Sequence, residues 1–390
     1  MFYPRQLSPH IFALKDKFPI LSVMGPRQAG KSTLLREMFP DYRYVSLEDA
    51  EMRILANEDP RGFLARYDSK VILDEAQRCP ELFSYLQTKT DNDRIMGQYI
   101  LSGSQNYLLM ENITQSLAGR VALFRLMPFS FLEMPQGSWE SSSWQEVAYR
   151  GFYPAIFSKG IDPTVFFPNY IETYIERDVR SLQAVKDFNQ FRAFMKRCAA
   201  NAGQLLNLNS IANDCGITSP TAKAWLSILE TGHMVFLLSP WYRNFNKRIV
   251  KSPKLFFYDT GLVCNLLEMN DPKDVENYFQ RGSLFENFII AEIYKQVYHA
   301  GRRPSYYFWQ DSNKNEIDLL WEKAGVASIL EIKSGQTINP SFFGNLNKFS
   351  KLDELRLDKQ YLVYGGRDKF EHLGVEVRGW REISDLSSAQ

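Results

Sequence analysis

The sequence predicts an α/β fold: a parallel sheet with helices on both faces, then a helical and winged-helix segment, then a small α/β domain. Three observations predict it. An apolar run from Pro19 to Met24 enters Gly25-Pro26-Arg27-Gln28-Ala29-Gly30-Lys31-Ser32, which fits the phosphate-loop pattern G-x-x-x-x-G-K-[ST], and a helical stretch from Thr33 to Phe39 follows. A second apolar run, Val71-Ile72-Leu73, ends in Asp74-Glu75, as does a buried parallel strand that delivers acids at its carboxyl end. Far downstream, a helix bearing Glu286 precedes strand-like runs carrying Asp318 and Glu331-x-Lys333.

The residue types of the first element follow from its chemistry. Gly25 and Gly30 let the backbone turn tightly and present N–H groups to phosphate oxygens, and the helix starting near Lys31 points its positive end at the same anion. Residues 25–33 are the expected nucleotide cradle: Gly25, Pro26, Arg27, Gln28, Ala29, Gly30, Lys31, Ser32 and Thr33. Lys31 would reach the β- and γ-phosphates, and Ser32 would ligate Mg²⁺. A strand (Tyr42–Leu47) and a polar helix (Glu48–Asn57) come next, before the Asp74-Glu75 strand. Asp74 would hold Mg²⁺ and Glu75 would orient the attacking water. Gln98–Leu101 is a further strand, followed by Ser102-Gly103-Ser104-Gln105. A helix from Tyr107 to Leu117 stops at Ala118-Gly119, Arg120 follows, and Val121–Leu126 is a fifth strand.

Composition sets limits on the rest. With 390 residues, 45% hydrophobic and 23% charged, the chain is long enough for two or three domains. A net charge of +1 places any nucleic-acid surface in a local patch. The four cysteines and four histidines have no metal-site or redox spacing. No apolar run approaches 18 residues and no signal sequence is recognisable, so the expectation is a cytoplasmic protein without a membrane partner. Pro135–Ser143 is the nearest approach to a linker.

The phosphate loop, the Asp-Glu strand, the Ser-Gly-Ser strand end and the Leu117-Ala118-Gly119-Arg120 turn before Pro128-Phe129-Ser130 resemble the AAA+ superfamily. More narrowly they are similar to prokaryotic AAA+ ATPases with a C-terminal region of unknown function. The resemblance implies ATP and Mg²⁺ as cofactors. It also implies a γ-phosphate sensor, assigned to Ser104, with Gln105 or Ser102 able to replace it. Arg120 is either an arginine finger supplied to a neighbouring subunit, which implies a homo-oligomer, or a surface arginine on a helix cap. Arg177 sits where a lid arginine could act, beside Asp178 as a salt-bridge partner.

Asn209–Cys215 and Ser219–Glu230 read as a helix–turn–helix around Gly216-Ile217-Thr218, with Ser219 as N-cap and Pro220 in the first helical position. Met234–Leu238 is a strand. The wing, Trp241–Lys254, carries Arg243, Lys247, Arg248, Lys251 and Lys254 without an acid. Together with Lys223 on the second helix, this suggests DNA phosphate contact. A protein-docking module is the other reading.

The order helix Glu286, strand Asp318, strand Glu331-x-Lys333 looks like the PD-(D/E)XK nuclease fold, which implies carboxylates around Mg²⁺ and a lysine that positions water. An E-x-K alternation also suits any half-exposed strand. The expectation is therefore an ATP-hydrolysing AAA+ protein that acts on or is regulated by DNA, with domains at 1–135, 144–265 and 266–390. The alternatives are an ATP-gated metal-dependent nuclease and a non-motor nucleotide switch for protein partners.

Overall fold

A computed structural model describes residues 2–104, 113, 115–175, 187–242, 252–352 and 355–386. The expected residues Gln105, Arg177, Asp178, Arg243, Lys247, Arg248 and Lys251 lie outside them, as does most of the 107–117 helix.

The N-terminal sheet is built from β1 (Ile20–Met24), β2 (Arg43–Ser46), β3 (Val71–Asp74), β4 (Tyr99–Gly103) and β5 (Val121–Arg125). All are parallel, in the order β2-β3-β4-β1-β5. Strands β1, β3 and β4 are buried throughout, which explains why they read as unbroken apolar runs. Alternate residues serve opposite faces. Ile20, Val71, Leu73 and Leu101 join Phe63, Phe83 and Leu86 on one side, while Leu21, Val23, Ile72 and Ile100 join Ile11, Leu34 and Leu35 on the other. The register pairs Met24 with Gly103 and Arg125, and Ser46 with Asp74, so the strand ends meet along one edge.

The middle region holds the helices Leu208–Asp214 and Ser219–Thr231 beside an antiparallel sheet of β6 (Gln204–Leu205), β7 (Val235–Leu238) and β8 (Lys254–Phe257), in the order β6-β8-β7. One expectation changes. Thr218, not Ser219, caps the second helix, accepting the Thr221 N–H at 3.3 Å; the Ser219 hydroxyl instead donates to Asn209 Oδ1 at 2.7 Å and ties the two helices together. Trp225 on the second helix packs edge-on against Phe191 and Phe194 at 5.3 and 5.6 Å.

The C-terminal sheet runs β13-β14-β12-β11-β10-β9. Its strands are β9 (Tyr307–Gln310), β10 (Glu316–Lys323), β11 (Val326–Lys333), β12 (Arg356–Tyr364), β13 (Lys369–His372) and β14 (Val375–Gly379). The first three form an antiparallel meander; β12 is parallel to β11 and β14 to β12. The helix Arg281–His299 precedes them, and the short helix Gly344–Phe349 lies between β11 and β12. Every residue of the first of these from Leu284 to His299 is buried. Phe288 on this helix meets Phe131 at 5.3 Å and Trp380 at 5.6 Å, and Phe131 meets Phe152 at 5.8 Å. One aromatic core thus spans the expected boundaries at 135 and 266. No helix among the described residues is long and apolar enough to cross a membrane.

Candidate functional site

The phosphate loop leaves β1 at Met24 and ends where Gly30, in left-handed backbone (φ 94°), caps the helix Lys31–Met38. Gly25 is required by close approach: a Cβ there would stand 2.0 Å from the Leu126 carbonyl oxygen. Gln28 also adopts positive φ (60°), so the loop is wound into a tight cradle. Lys31 is buried, and its Nζ donates to the Gly25 and Pro26 carbonyls at 2.9 and 2.8 Å. The loop's own oxygens thus take the ammonium that a phosphate would otherwise receive. Thr33 lies exposed on the first helical turn.

Across the strand ends, Ser32 Oγ donates to Asp74 Oδ2 at 2.7 Å. The sequence separates these residues by about 40 positions, and the parallel register brings them together. Two further hydroxyls, of Tyr44 on β2 and Ser102 on β4, also donate to Asp74. Burial, reinforced by the bond to that carboxylate, holds the Tyr44 phenol well above its ordinary pKa. The oxygen set of Ser32 and Asp74 is the kind that Mg²⁺ takes.

Glu75 stands one residue beyond β3 in left-handed backbone (φ 53°, ψ 43°), unusual for a residue with a side chain. Its Oε2 accepts Gln77 Nε2 at 2.5 Å and the Ser104 hydroxyl at 3.2 Å. Of the serines in this strand end, Ser104 touches Glu75 and Ser102 touches Asp74. Arg120 lies at the opposite, strand-start edge, just before β5. It grips Asp91 with two nitrogens at 2.6 and 2.8 Å and does not reach the cradle of its own chain.

Sequence reasoning missed Tyr44, Gln77 and Arg5. Arg5 Nη1 donates to the Ala29 carbonyl of the phosphate loop at 2.8 Å, and Nη2 donates to the Met127 carbonyl at 2.6 Å. The same guanidinium pairs with Glu133 at 3.0 Å, whose other neighbour is His299 Nδ1 at 3.0 Å. All three side chains are buried. Burial alone would raise the Glu133 pKa, but Arg5 and His299 outweigh it and hold the carboxyl well below its usual range.

The second constellation gathers at the C-terminal sheet. Glu286 on the long helix, Asp318 on β10, and Glu331 and Lys333 on β11 are brought together as expected. Lys333 Nζ donates to Glu331 Oε1 at 2.5 Å and Asp318 Oδ2 accepts the Ile332 N–H at 2.7 Å. Glu316, which the sequence reading passed over, shares the face of Asp318 two residues on; with Glu286 the three carboxylates come within 4.8 Å of one another. Burial pushes the Glu286 and Glu331 carboxyls up.

Of the expected DNA-contacting set, Lys223 is exposed on the second helix of the helix–turn–helix. Lys254 is a correction. It is buried rather than part of an open basic wing, because β8 turns its side chain onto Glu286 and Glu316. Opposing charges supply the solvation it loses, and they hold its pKa above the ordinary lysine value in spite of burial.

Residues 17–135 match the family described as AAA domain, and residues 141–273 and 281–379 match two domains of unknown function, DUF8612 and DUF4143. The uncharacterized proteins Rv2008c of Mycobacterium tuberculosis and Mb2031c of Mycobacterium bovis are each 30% identical over 357 residues, 90% of this chain and 78% of theirs. Among solved structures, the Walker-type ATPase PABY2304 of Pyrococcus abyssi is 14% identical, covering 68% of this chain and 96% of that one at a TM-score of 0.41. RuvB of Thermotoga maritima is also 14% identical, covering 59% and 87% at a TM-score of 0.27. Overall likeness at these scores carries no argument about action. The phosphate loop, the acid-tipped β3 and the AAA match lie in one continuous segment, and the alignment to the mycobacterial proteins runs along nearly the whole length. The chain belongs to the family of those two mycobacterial proteins, and its residues 17–135 form an AAA-type P-loop ATPase domain.

Proposed function

We propose that the chain hydrolyses ATP at the edge of its N-terminal sheet and couples turnover to an action on DNA by its middle and C-terminal regions. The observation that carries the hydrolytic part is the 2.7 Å bond from Ser32 to Asp74, with Glu75 fixed beside it by Gln77 and Ser104. Lys31 would exchange its two loop carbonyls for phosphate oxygens. Ser32 and Asp74 would hold Mg²⁺, which when bound neutralises charge on the phosphates. Glu75 would orient the attacking water and accept its proton, with Ser104 placed to register the γ-phosphate through that same carboxylate.

Arg120 would serve a neighbouring subunit, since its position at the far edge leaves it nothing to do in its own cradle. Transfer across an interface requires it to leave Asp91. Wild-type turnover by Arg120→Ala would dismiss the finger and the oligomer it implies.

The DNA part is supported by exposed Lys223 on the helix–turn–helix and by the basic residues 243, 247, 248 and 251 of the sequence. The test is ATPase turnover with and without duplex, branched and single-stranded DNA at two salt concentrations. Stimulation by DNA that weakens as salt rises is expected. Turnover indifferent to every DNA would favour the nucleotide switch for protein partners.

A second reading, an ATP-gated metal-dependent nuclease, has its own support. Helix, three-strand meander, helix and parallel strand follow one another from Arg281 to Tyr364, and Glu286, Asp318, Glu331 and Lys333 converge on this frame. Cutting of DNA by the wild-type chain, lost in Glu331→Gln with ATPase intact, would establish it. No cutting by the wild type would remove it.

A further inference from the structure

The carboxylate cluster of the C-terminal sheet already contains a cation from another part of the chain. Lys254 opens β8, beside the helix–turn–helix, and its side chain is 4% exposed. Its Nζ donates to Glu286 Oε1 at 2.8 Å and to Glu316 Oε1 at 2.5 Å. These are two of the three carboxylates whose oxygens stand close enough to share one metal ion. The ammonium therefore occupies part of the ligand set that a divalent cation would use.

A separate observation shows that the ammonium does not complete the site. Glu331 is 1% exposed; its Oε1 accepts from Lys333 and Asn345, yet its Oε2 has no hydrogen-bond partner among the described residues. The β10–β11 register that sets Leu319 against Leu330 brings Asp318 opposite Glu331 on the same face. A buried carboxylate oxygen without a donor is costly, and it marks a place where a cation is wanted. The charges agree. Among the described residues, Glu286, Glu316, Asp318 and Glu331 face the cations Lys254 and Lys333, which leaves two negative charges when all are ionised, and one divalent ion neutralises two.

We propose that Lys254 is an internal competitor for a divalent cation at this cluster, and that it must release Glu286 and Glu316 before these two and Asp318, with Glu331 set opposite Asp318, can hold the ion. This rests on the nuclease-like reading of the domain. A lysine suits the role, being a compact charge on a flexible stem that can swing away without moving its strand. Lys254 is also paired in register with Leu238 of β7 and Leu205 of β6, so the occupant of the cluster is tied to the strands at the base of the basic segment.

The test is Mn²⁺ binding to the nucleotide-free full-length chain, followed by the electron-paramagnetic signal of free Mn²⁺. Lys254→Met is expected to bind Mn²⁺ about tenfold or more tightly than wild type. Lys254→Arg, which keeps the charge, should show no gain, and adding Glu331→Gln to Lys254→Met should erase it. Thermal unfolding gives the same readout for a destabilised variant: Mn²⁺ should raise the Tm of Lys254→Met further than that of wild type. Glu331-dependent Mn²⁺ binding that Lys254→Met leaves unaltered would overturn the competition alone. No Glu331-dependent Mn²⁺ binding in any variant would overturn the nuclease-like reading with it.

Discussion

Glu75→Gln is expected to bind ATP as the wild-type chain does and to turn it over about 10²–10⁴ times more slowly. Glutamine has the size of glutamate and keeps an oxygen for Gln77 Nε2 and the Ser104 hydroxyl, so the local packing should survive. What it lacks is a basic carboxylate. The backbone at this position is left-handed, a conformation that costs about 1–3 kcal/mol for a residue with a Cβ. A fold carries such a cost where a side chain must be aimed, and here it aims a carboxylate past the end of β3 rather than back into the sheet. The nucleotide cradle is untouched, because the loop and Lys31 follow β1 whereas Glu75 follows β3. Fluorescent-ATP titration and phosphate release measured on one preparation separate the two effects. Wild-type turnover by Glu75→Gln would show that another group acts on the water.

Glu133→Gln is expected to destabilise the chain by about 3–5 kcal/mol, the usual result of removing one partner from a buried ion pair. The cost arises because Arg5, with a side chain 3% exposed, would be left buried without its counter-charge. The change also loosens a guanidinium that holds the phosphate loop at the Ala29 carbonyl, so ATP affinity should fall along with the urea midpoint. The pH dependence has a fixed sign. The folded carboxyl is held below its ordinary value of 4.5, so its contribution is fully present above that pH and is lost as pH falls toward the folded value. The stability gap between wild type and Glu133→Gln should therefore narrow on acidification below about pH 4.5. A gap constant down to the acid transition would show that Glu133 contributes by packing and not by charge.

The legible parts of this molecule are those whose meaning is local. The phosphate loop could be read because its strand, turn and helix are consecutive, and Asp74-Glu75 because an apolar strand runs directly into them. The partners of those acids could not. Tyr44 and Ser102 reach Asp74 only because β2 and β4 flank β3 in the sheet, an order that residue patterns alone do not give. Gln77 was nearer to hand, two positions past Glu75, but a glutamine after an acidic turn has no distinctive pattern. The long helix Arg281–His299 carries charged residues that a periodicity argument would set on a wet face. They are inside instead: Glu292 accepts the Phe131 N–H at 2.8 Å, Lys295 donates to the Phe129 carbonyl at 2.8 Å, and His299 meets Glu133. Polar residues that satisfy buried backbone look like surface residues to any periodicity argument. Lys254 misled in the same way, standing at the end of a basic run yet serving the interior. Glu316 did leave a signal, since its two-residue spacing from Asp318 puts both on one strand face.

The link from Ala29 through Arg5 and Glu133 to His299 bears on how proteins of this kind diversify. Its members come from the first residues, from the end of the ATPase segment and from the far end of the C-terminal helix. An ATPase half and a C-terminal half taken from two different relatives would meet across this triad, and a mismatch would strand a charge in the dry interior. Recombination between lineages should therefore preserve residues 5, 133 and 299 as a set. A chimera that breaks the set should regain its solubility when the missing member is restored, without any other change to either half.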